Sequence, residues 1–297
     1  MTPVDRPETA SQADDARRGL DRRRLISLAA AGGALASAGM LQLGRSALSS
    51  PAPDSTRFAA ALQESHDGHD PASAYAATPV PWEPEDLIEP EERRAVDGVL
   101  DTSLRVAYGY VDVGGYRLFL RGYDGIFPGP TLRVQPGDAL RIALTNDLPP
   151  NRDEAPANTD TPHQFNTTNF HAHGTHVSPG GISDNVLRSM EPGGTYPIEI
   201  VFPDDHTRGS YWYHPHHHGS ADIQVASGMA GMLIVEGDFA DVPEIAAARE
   251  RVMVLGQVVF DGLRTVEDFE LVWSETSTRF QTVNGQREPI IRMRPGE

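Results

Sequence analysis

The segment Tyr211–Gly219 reads Tyr-Trp-Tyr-His-Pro-His-His-His-Gly, and an earlier segment, Asn169–His176, reads Asn-Phe-His-Ala-His-Gly-Thr-His. Each segment contains a His-x-His pair that follows aromatic residues. In a β-strand, residues two positions apart project from the same face. The spacing therefore predicts two strands whose imidazoles converge on one point, and neutral imidazoles suit zinc, copper, iron and nickel. The four predicted ligands are His171, His173, His214 and His216.

The distribution of histidines along the chain favours this interpretation over two simpler ones. The chain has 11 histidines, and seven of them fall in the two segments just quoted. Single histidines are usually solvated or satisfied in a core, and a histidine run can bind metals loosely through its composition alone. Two separated pairs, each beside aromatic residues and followed by glycine, instead indicate one clustered metal site.

Composition and charge exclude several classes of function. The chain has 297 residues, of which 39% are hydrophobic and 23% charged, as in soluble globular proteins. Its formal net charge of −17 argues against a nucleic-acid partner, because phosphate binding requires a basic surface. The sequence has no cysteine, which excludes disulfides, cysteine-ligated zinc or iron–sulfur sites and a cysteine nucleophile within it.

The first residues have the pattern of a targeting signal. Arg22-Arg23-Arg24 precedes an Ala/Gly-rich apolar run that extends from Leu25 to Leu43. A basic region before such a run predicts a secretory signal, and its arginine pair is typical of twin-arginine export. A membrane anchor is the alternative, but the Ala/Gly content makes a poor membrane helix. We expect residues 1–47 to direct export to the periplasm or cell surface, without stable membrane insertion after cleavage.

The rest of the chain divides by composition. Residues 48–98 are rich in Pro, Ala and acidic residues and predict a solvated linker. Residues 99–238 alternate apolar and polar positions between evenly spaced turns, as in Leu140, Ile142 and Leu144. This alternation predicts an all-β sandwich. A helical pattern is recognisable only over residues 242–251.

An internal repeat predicts the start of a second domain. Pro130–Asp138 reads Pro-Thr-Leu-Arg-Val-Gln-Pro-Gly-Asp, and Pro289–Glu297 reads Pro-Ile-Ile-Arg-Met-Arg-Pro-Gly-Glu. Each matching position is shifted by the same amount, since 289 − 130 = 159 and 295 − 136 = 159. We expect residues 239–297 to hold a connector and the truncated start of a second domain with the same fold. A chain that ended there would leave a strand unpaired, so we also expect residue 297 to end a fragment.

From about Leu104 to Glu297 the chain resembles the N-terminal half of a multicopper oxidase of the laccase and bacterial copper-efflux-oxidase kind. The segments that carry the resemblance are Gly129–Leu132 with Pro136–Asp138, Asn169–Gly174, Tyr211–His216 and Gly228–Val235. The resemblance implies a cupredoxin-like Greek-key β-sandwich, followed by the start of a second cupredoxin domain. It also implies copper as the cofactor.

In that family the two His-x-His pairs bind a trinuclear copper cluster. The resemblance implies that His171 binds the type 2 copper and His173 a type 3 copper, while His214 and His216 bind the two type 3 coppers. His218 continues the alternation, so a register that uses His216 and His218 is open from sequence. The context Tyr-Trp-Tyr-His-Pro-His favours the earlier pair.

The resemblance also implies a proton donor, and it implies that part of the copper site lies in a C-terminal domain outside this sequence. Asp184 resembles the acidic residue near the family's copper cluster and could donate protons; alternatively it forms a turn beside Asn185. The remaining cluster ligands and the type 1 copper, which needs a cysteine, are expected only in the missing C-terminal domain. This fragment would thus supply half of the trinuclear ligands.

The implied activity couples one-electron oxidation of phenolic or metal-ion substrates to four-electron reduction of dioxygen to water. Its partners would be dioxygen, a small reducing substrate and the remaining cupredoxin domains of the full-length chain. The fragment alone is predicted to be inactive. The alternative is a non-catalytic copper-binding or copper-sequestering protein of the cell envelope, and a downstream His-Cys-His motif would favour the oxidase.

Overall fold

Two β-sheets face each other in the region before residue 238. In chain order its strands are β1 (Glu92–Arg94), β2 (Val99–Val113), β3 (Tyr116–Tyr123), β4 (Thr131–Val134), β5 (Ala139–Asn146), β6 (His171–His173), β7 (Thr195–Val201), β8 (Gly209–His214) and β9 (Gly231–Val235). One sheet has the order β3-β2-β5-β7 and the other the order β1-β4-β9-β8-β6.

This computed structural model describes residues 82–237, 242–260, 265–275 and 277–294. The predicted signal peptide, residues 1–47, and the predicted linker as far as residue 81 lie outside them. Within the described ranges, none of the helices has the length and apolar character needed to cross a membrane.

The core between the sheets follows from the alternation of apolar residues. On β5, Leu140, Ile142 and Leu144 are buried between the sheets, while Arg141 and Ala143 face solvent. Tyr213 of β8 enters the same core from the opposite sheet. The predicted all-β sandwich is therefore confirmed, and its physical basis is the two-residue period of side chains along a strand.

Three short helices lie between strands within the residues that the structure describes. They are α1 (Ala221–Ala226), α2 (Pro243–Ala246) and α3 (Phe269–Trp273). The segment predicted to be helical, residues 242–251, contains α2, whereas α1 lies outside the prediction because six residues give too short a periodic signal. After α1 the chain turns at Gly228, whose φ is +103° and where a Cβ would meet the ring of Phe127 at 1.8 Å.

After the sandwich, β10 (Leu255–Phe260) and β11 (Thr278–Val283) form a separate antiparallel pair. Val258 and Phe260 of β10 pack with Leu118 and Leu120 of β3 and with Ile223 of α1 in a second apolar cluster. This packing holds the β10–β11 pair against the sandwich, close to the loop that carries the second histidine pair.

A buried ion pair adds to this contact. Arg121 of β3 is almost fully buried, and its Nη2 lies 2.6 Å from Oε2 of Glu267. The same guanidinium donates to the carbonyl of Val266 and to Oδ1 of Asn166, and it lies over the ring of Tyr108. Because a buried cation is costly unless it is paired, these contacts tie residues 266–267 to the sandwich.

The segment Glu85–Arg94, here called the strap, pairs with both copies of the internal repeat. It lies within residues 48–98, the predicted linker. Its second half forms β1, where Glu92 is aligned in parallel with Thr131; its first half forms a parallel bridge between Asp86 and Ile290. Ile290 is the repeat equivalent of Thr131, since 290 − 131 = 159.

The polar contacts of the strap repeat in the same way. The backbone N–H of Thr131 donates to Glu91 O, and that of Ile290 donates to Glu85 O, both at 2.7 Å. Two equivalent ion pairs follow. They are Arg133–Glu92 at 2.8 Å and Arg292–Asp86 at 2.9 Å. One continuous segment thus provides the neighbouring strand for the same position in both repeats.

Candidate metal centre

The two histidine pairs lie on adjacent strands at one edge of the five-stranded sheet. The antiparallel register of β6 and β8 places His171 opposite His214 and His173 opposite Trp212. Side chains of directly opposed residues lie on the same face of a sheet and close together. His216 follows β8 by two residues and closes the group.

The rings of the other three histidines all lie beside the ring of His171. The ring centroid of His171 lies 5.4 Å from that of His173, 5.3 Å from His214 and 5.1 Å from His216. His173 Nδ1 lies 3.1 Å from His214 Nε2. Ligand atoms of His171, His173 and His214 all fall within 4.8 Å of one another. Nitrogens this close can bind one ion or adjacent ions.

Two of these rings are oriented by acceptors on their far side. A carboxylate only accepts hydrogen bonds, so His171 Nδ1 donates to Asp184, whose two oxygens each lie 3.1 Å away. His214 Nδ1 donates to the carbonyl of Pro215 at 2.8 Å. When either ring is neutral, its Nε2 keeps a lone pair that can bind a metal. Acceptors at the other ring nitrogen, such as these, fix the tautomer of histidines that bind metals.

Asp184 is held in place by the strand that it supports. Its Oδ1 accepts the backbone N–H of Ala172 at 2.8 Å, in addition to its contact with His171. The carboxylate is buried. Asp184 therefore contacts both the backbone in the middle of β6 and the Nδ1 side of the His171 ring, which leaves Nε2 of that ring free of this contact.

Burial keeps His214 neutral. Removal of the ring from water lowers the pKa of His214 against the raising effect of the Pro215 carbonyl, and the neighbouring His171, His173 and His216 lower it too, so that the result is about 4. Desolvation penalises the charged imidazolium. At neutral pH the ring is therefore unprotonated, the form that binds metals.

Asn169 begins the first histidine segment, but the sequence alone predicted no role for it. It is fully buried; its Oδ1 accepts the backbone N–H of His216 at 2.6 Å, and its Nδ2 donates to the carbonyl of Val186 at 2.7 Å. It thus joins the segment before β6, the loop after β8 and the loop of Asp184. The only sequence signal was its position two residues before His171.

Trp212 is a second residue without a predicted role. Its ring stacks on His214 with centroids 4.0 Å apart and an interplanar angle of 23°, and it lies 4.9 Å from the ring of His173. Trp212, His214 and His216 alternate along the sequence, so the same two-residue period could have placed the indole beside the metal ligands. The indole covers one side of two imidazoles.

The other histidines of the second segment lie outside this group. His217 is bonded through its ring nitrogens to Ser189 Oγ at 3.2 Å and Ser220 Oγ at 3.3 Å. Burial lowers the pKa of His217. His218 is exposed and contacts Asp160. The structure therefore places His214 and His216, the predicted pair, beside His171. The ring of His218 lies 6.1 Å from that of His216.

A large cavity, here called the crevice, opens beside the histidines. It has a volume of about 900 Å³ and lies between the sandwich and β10. His173, His214 and His216 line it on one side. Its other walls are mostly apolar and include Trp212, Met232, Met253, Leu255 and Trp273. Leu255 and Trp273 are exposed.

The residues present fit a soft or borderline metal. The donor set consists of imidazoles, which suit copper and zinc, and an open side faces the crevice. His216 Nδ1 is buried and lacks a hydrogen-bond partner. A buried polar atom without a partner is unusual in a folded protein, and a metal-binding role for this ring would account for it.

Comparison with known proteins points to one family. Residues 161–239 match the family model described as multicopper oxidase. A multicopper oxidase of Staphylococcus aureus is 31% identical over 117 residues, which are 39% of this chain and 22% of the relative. An iron transport multicopper oxidase of Candida albicans is 31% identical over 137 residues, 44% of this chain and 19% of the relative.

Solved structures give the same fold. A multicopper oxidase from Campylobacter jejuni matches with a TM-score of 0.53 and 22% identity, over 71% of this chain and 41% of the other. One from Pediococcus acidilactici matches with a TM-score of 0.53 and 19% identity, over 75% and 44%. The chain thus spans less than a quarter of the curated relatives named above and less than half of these structures.

Proposed function

We propose that this chain, which matches the multicopper oxidase family model over residues 161–239, is the N-terminal part of an exported oxidase of that family. This enzyme would couple one-electron oxidation of phenolic or metal-ion substrates to the four-electron reduction of dioxygen to water. The observation that carries the proposal is the convergence of four imidazoles, one of which has a buried nitrogen without a partner.

The four histidines would divide the copper ions between them. We assign His171 to the type 2 copper, and His173, His214 and His216 to the type 3 pair. Copper bound here would supply one-electron redox chemistry that delivers electrons to dioxygen. The protein's own task is to hold neutral imidazoles in fixed orientations, which the acceptors on His171 and His214 support.

Asp184 would have two tasks. Its hydrogen bond orients His171, and its carboxyl group would supply protons to reduced oxygen at the same edge of the site. The loop around Asp184 is anchored by Asn169, which bonds to Val186 O. Precise orientation of ligands by such buried partners typically changes metal affinity by one to two orders of magnitude.

The rest of the enzyme would come from the remaining cupredoxin domains of the full-length chain. The apolar crevice beside His173, His214 and His216 has the character of a surface on which another domain packs. That domain would supply the remaining cluster ligands and the type 1 copper. The basic and apolar pattern of residues 1–47 supports export through the twin-arginine route, to the periplasm or the cell surface.

A second candidate function, which the comparisons do not favour, is copper binding or sequestration without turnover. The sequence contains no cysteine, so it holds no thiolate for a type 1 copper. A protein with the four histidines but without electron delivery would bind or sequester copper and would not turn over.

One experiment separates the two. The full-length protein, loaded with copper, should consume oxygen in the presence of a phenol or a reduced metal ion, at one dioxygen per four electrons. The His173→Ala variant should lose oxygen consumption and retain the blue thiolate-to-copper band, because that band belongs to another domain. Stable copper binding without oxygen consumption by the wild-type protein would favour sequestration and refute the oxidase.

A further inference from the structure

One histidine outside the metal centre is arranged like a metal ligand. His218 Nδ1 lies 2.8 Å from Oδ1 of Asp160, a residue 58 positions away in the chain. The carboxylate accepts, so in the neutral ring Nδ1 donates and Nε2 keeps its lone pair. His171 and Asp184 show the same pairing in the metal centre. Carboxylates in this position orient imidazole ligands and make them more basic.

The position of His218 connects solvent with the metal centre. His218 and His216 both line a cavity of about 200 Å³, together with Asp160 and Asp222. The side chain of His218 is 46% exposed and that of Asp160 is 75% exposed. His216 is only partly exposed and also lines the crevice. A cation that enters through this smaller cavity therefore meets His218 and two carboxylates beside His216, on a route separate from the crevice.

The spacing of the His216 and His218 rings permits direct transfer of an ion between them. Their centroids lie 6.1 Å apart. Two imidazoles that share one ion, at metal–nitrogen distances of about 2 Å, have centroids roughly 5 Å apart in tetrahedral geometry and roughly 6 Å apart when the two nitrogens lie on opposite sides of the ion. His217 lies between them in sequence but does not compete, because both of its ring nitrogens contact serine hydroxyls.

We infer that His218 and Asp160 form a loading site, which captures a copper ion from solvent and passes it to His216. The inference rests on the proposed function, from which copper is taken as the ion that binds. The transfer is a ligand exchange without change of oxidation state: a ring nitrogen of His216 binds the ion as Nε2 of His218 releases it. With one imidazole and exposed carboxylates, the site holds an ion less tightly than the four converging imidazoles, as a loading site requires.

The test measures the rate and the extent of copper uptake separately. The full-length protein is stripped of metal and then mixed anaerobically with cuprous ion alone, and uptake is followed in time. His218→Ala is expected to slow uptake roughly tenfold, by analogy with the loss of an ordinary ligand or its partner. Asp160→Asn should slow it in the same direction, while the final copper content of both variants equals that of the wild type.

The control is His176→Ala, which removes another exposed histidine that does not line this cavity. Its uptake rate should match the wild type. Wild-type uptake rates in the His218→Ala variant would overturn the loading role. A final content one copper lower would also overturn it, because His218 would then be a resident ligand. A wild-type protein that binds no copper would refute the proposed function and this inference with it.

Discussion

Oδ1 of Asn169 lies 2.6 Å from the backbone nitrogen of His216, so a residue that precedes the first histidine pair fixes the position of the second. The other end of the same amide bonds to Val186 O, two residues after Asp184. A single buried side chain therefore sets the relative positions of three segments of the metal centre.

Asn169→Ala should destabilise the protein by about 2–6 kcal/mol, because two partly buried backbone groups lose their partners at about 1–3 kcal/mol each. Asn169→Asp should also destabilise the protein, since the carboxylate still accepts from the N–H of His216 but places a buried charge against Val186 O, to which it cannot donate. Urea unfolding monitored by circular dichroism measures both. A change within about 0.5 kcal/mol for the alanine variant would match an ordinary surface substitution and contradict this role.

Asp184→Asn should weaken copper binding by roughly 10–100-fold. The amide can present an N–H to His171 Nδ1, which would favour the tautomer with its proton on Nε2 and thereby remove the metal-facing lone pair. Competition with a chelator of known affinity measures the change. Asp205→Asn is the matched control, since Asp205 is exposed. Equal affinities for the two variants would show that Asp184 does not orient the ligand.

The metal-free protein should lose stability as the pH falls from about 6.5 to 4. Burial lowers the pKa of His214 to about 4 from an ordinary value of 6.5. In this range the unfolded state binds a proton at His214 that the folded state does not, so stability rises with pH. The stabilisation is complete above the unfolded value and is lost progressively toward the folded one.

Urea midpoints measured across this range, for the wild type and for His214→Gln, isolate the contribution of this ring. The difference between the two proteins should depend on pH between 6.5 and 4 and be flat above 7. A difference that stays constant over the whole range would show that His214 is not kept neutral by the fold.

Glu267→Ala should destabilise the contact between the sandwich and the segment before α3. The substitution leaves the buried Arg121 without its ion partner, and breaking one partner of a buried pair costs about 3–5 kcal/mol. Glu270→Ala, at an exposed position, is the control. Thermal unfolding of the two variants compares them, and equal midpoints would mean that the pair is solvated in solution.

Residues 82–297 expressed alone and loaded with copper should show neither the intense blue band nor phenol oxidation. The band requires a thiolate ligand, and the sequence has no cysteine. Absorption near 600 nm and oxygen uptake test the two halves of this expectation. Phenol turnover by the fragment at the rate of the full-length enzyme would place electron entry within these residues.

The sequence predicted those features that depend on local periodicity. The alternation of Leu140, Ile142 and Leu144 was enough for a sandwich, because a strand exposes every second side chain to the core. The same period placed each histidine pair on one face. The convergence of the two pairs was predicted from their spacing, but it depends on one further fact, the pairing of β6 with β8, which the spacing does not determine.

The features that sequence reasoning missed depend on contacts between distant residues. The partners of Asn169 are 17 and 47 positions away, and an asparagine carries no signal of which backbone groups it will meet. The strap was interpreted as linker because its acidic residues and Pro90 resemble solvated chain. Their arginine partners, Arg133 and Arg292, become visible only when both repeats are folded.

The strap also imposes an order on the assembly of the chain. Its second half can pair early during synthesis, since Glu92 and Arg133 are only 41 residues apart. Its first half must wait for residues that the ribosome adds much later, because Ile88 bonds to Gln286, 198 residues downstream. Contacts of such separation form late, after the entropy of a long loop has been overcome. The strap therefore pairs in two stages. Its first half can pair only after the start of the second repeat has been synthesised and folded.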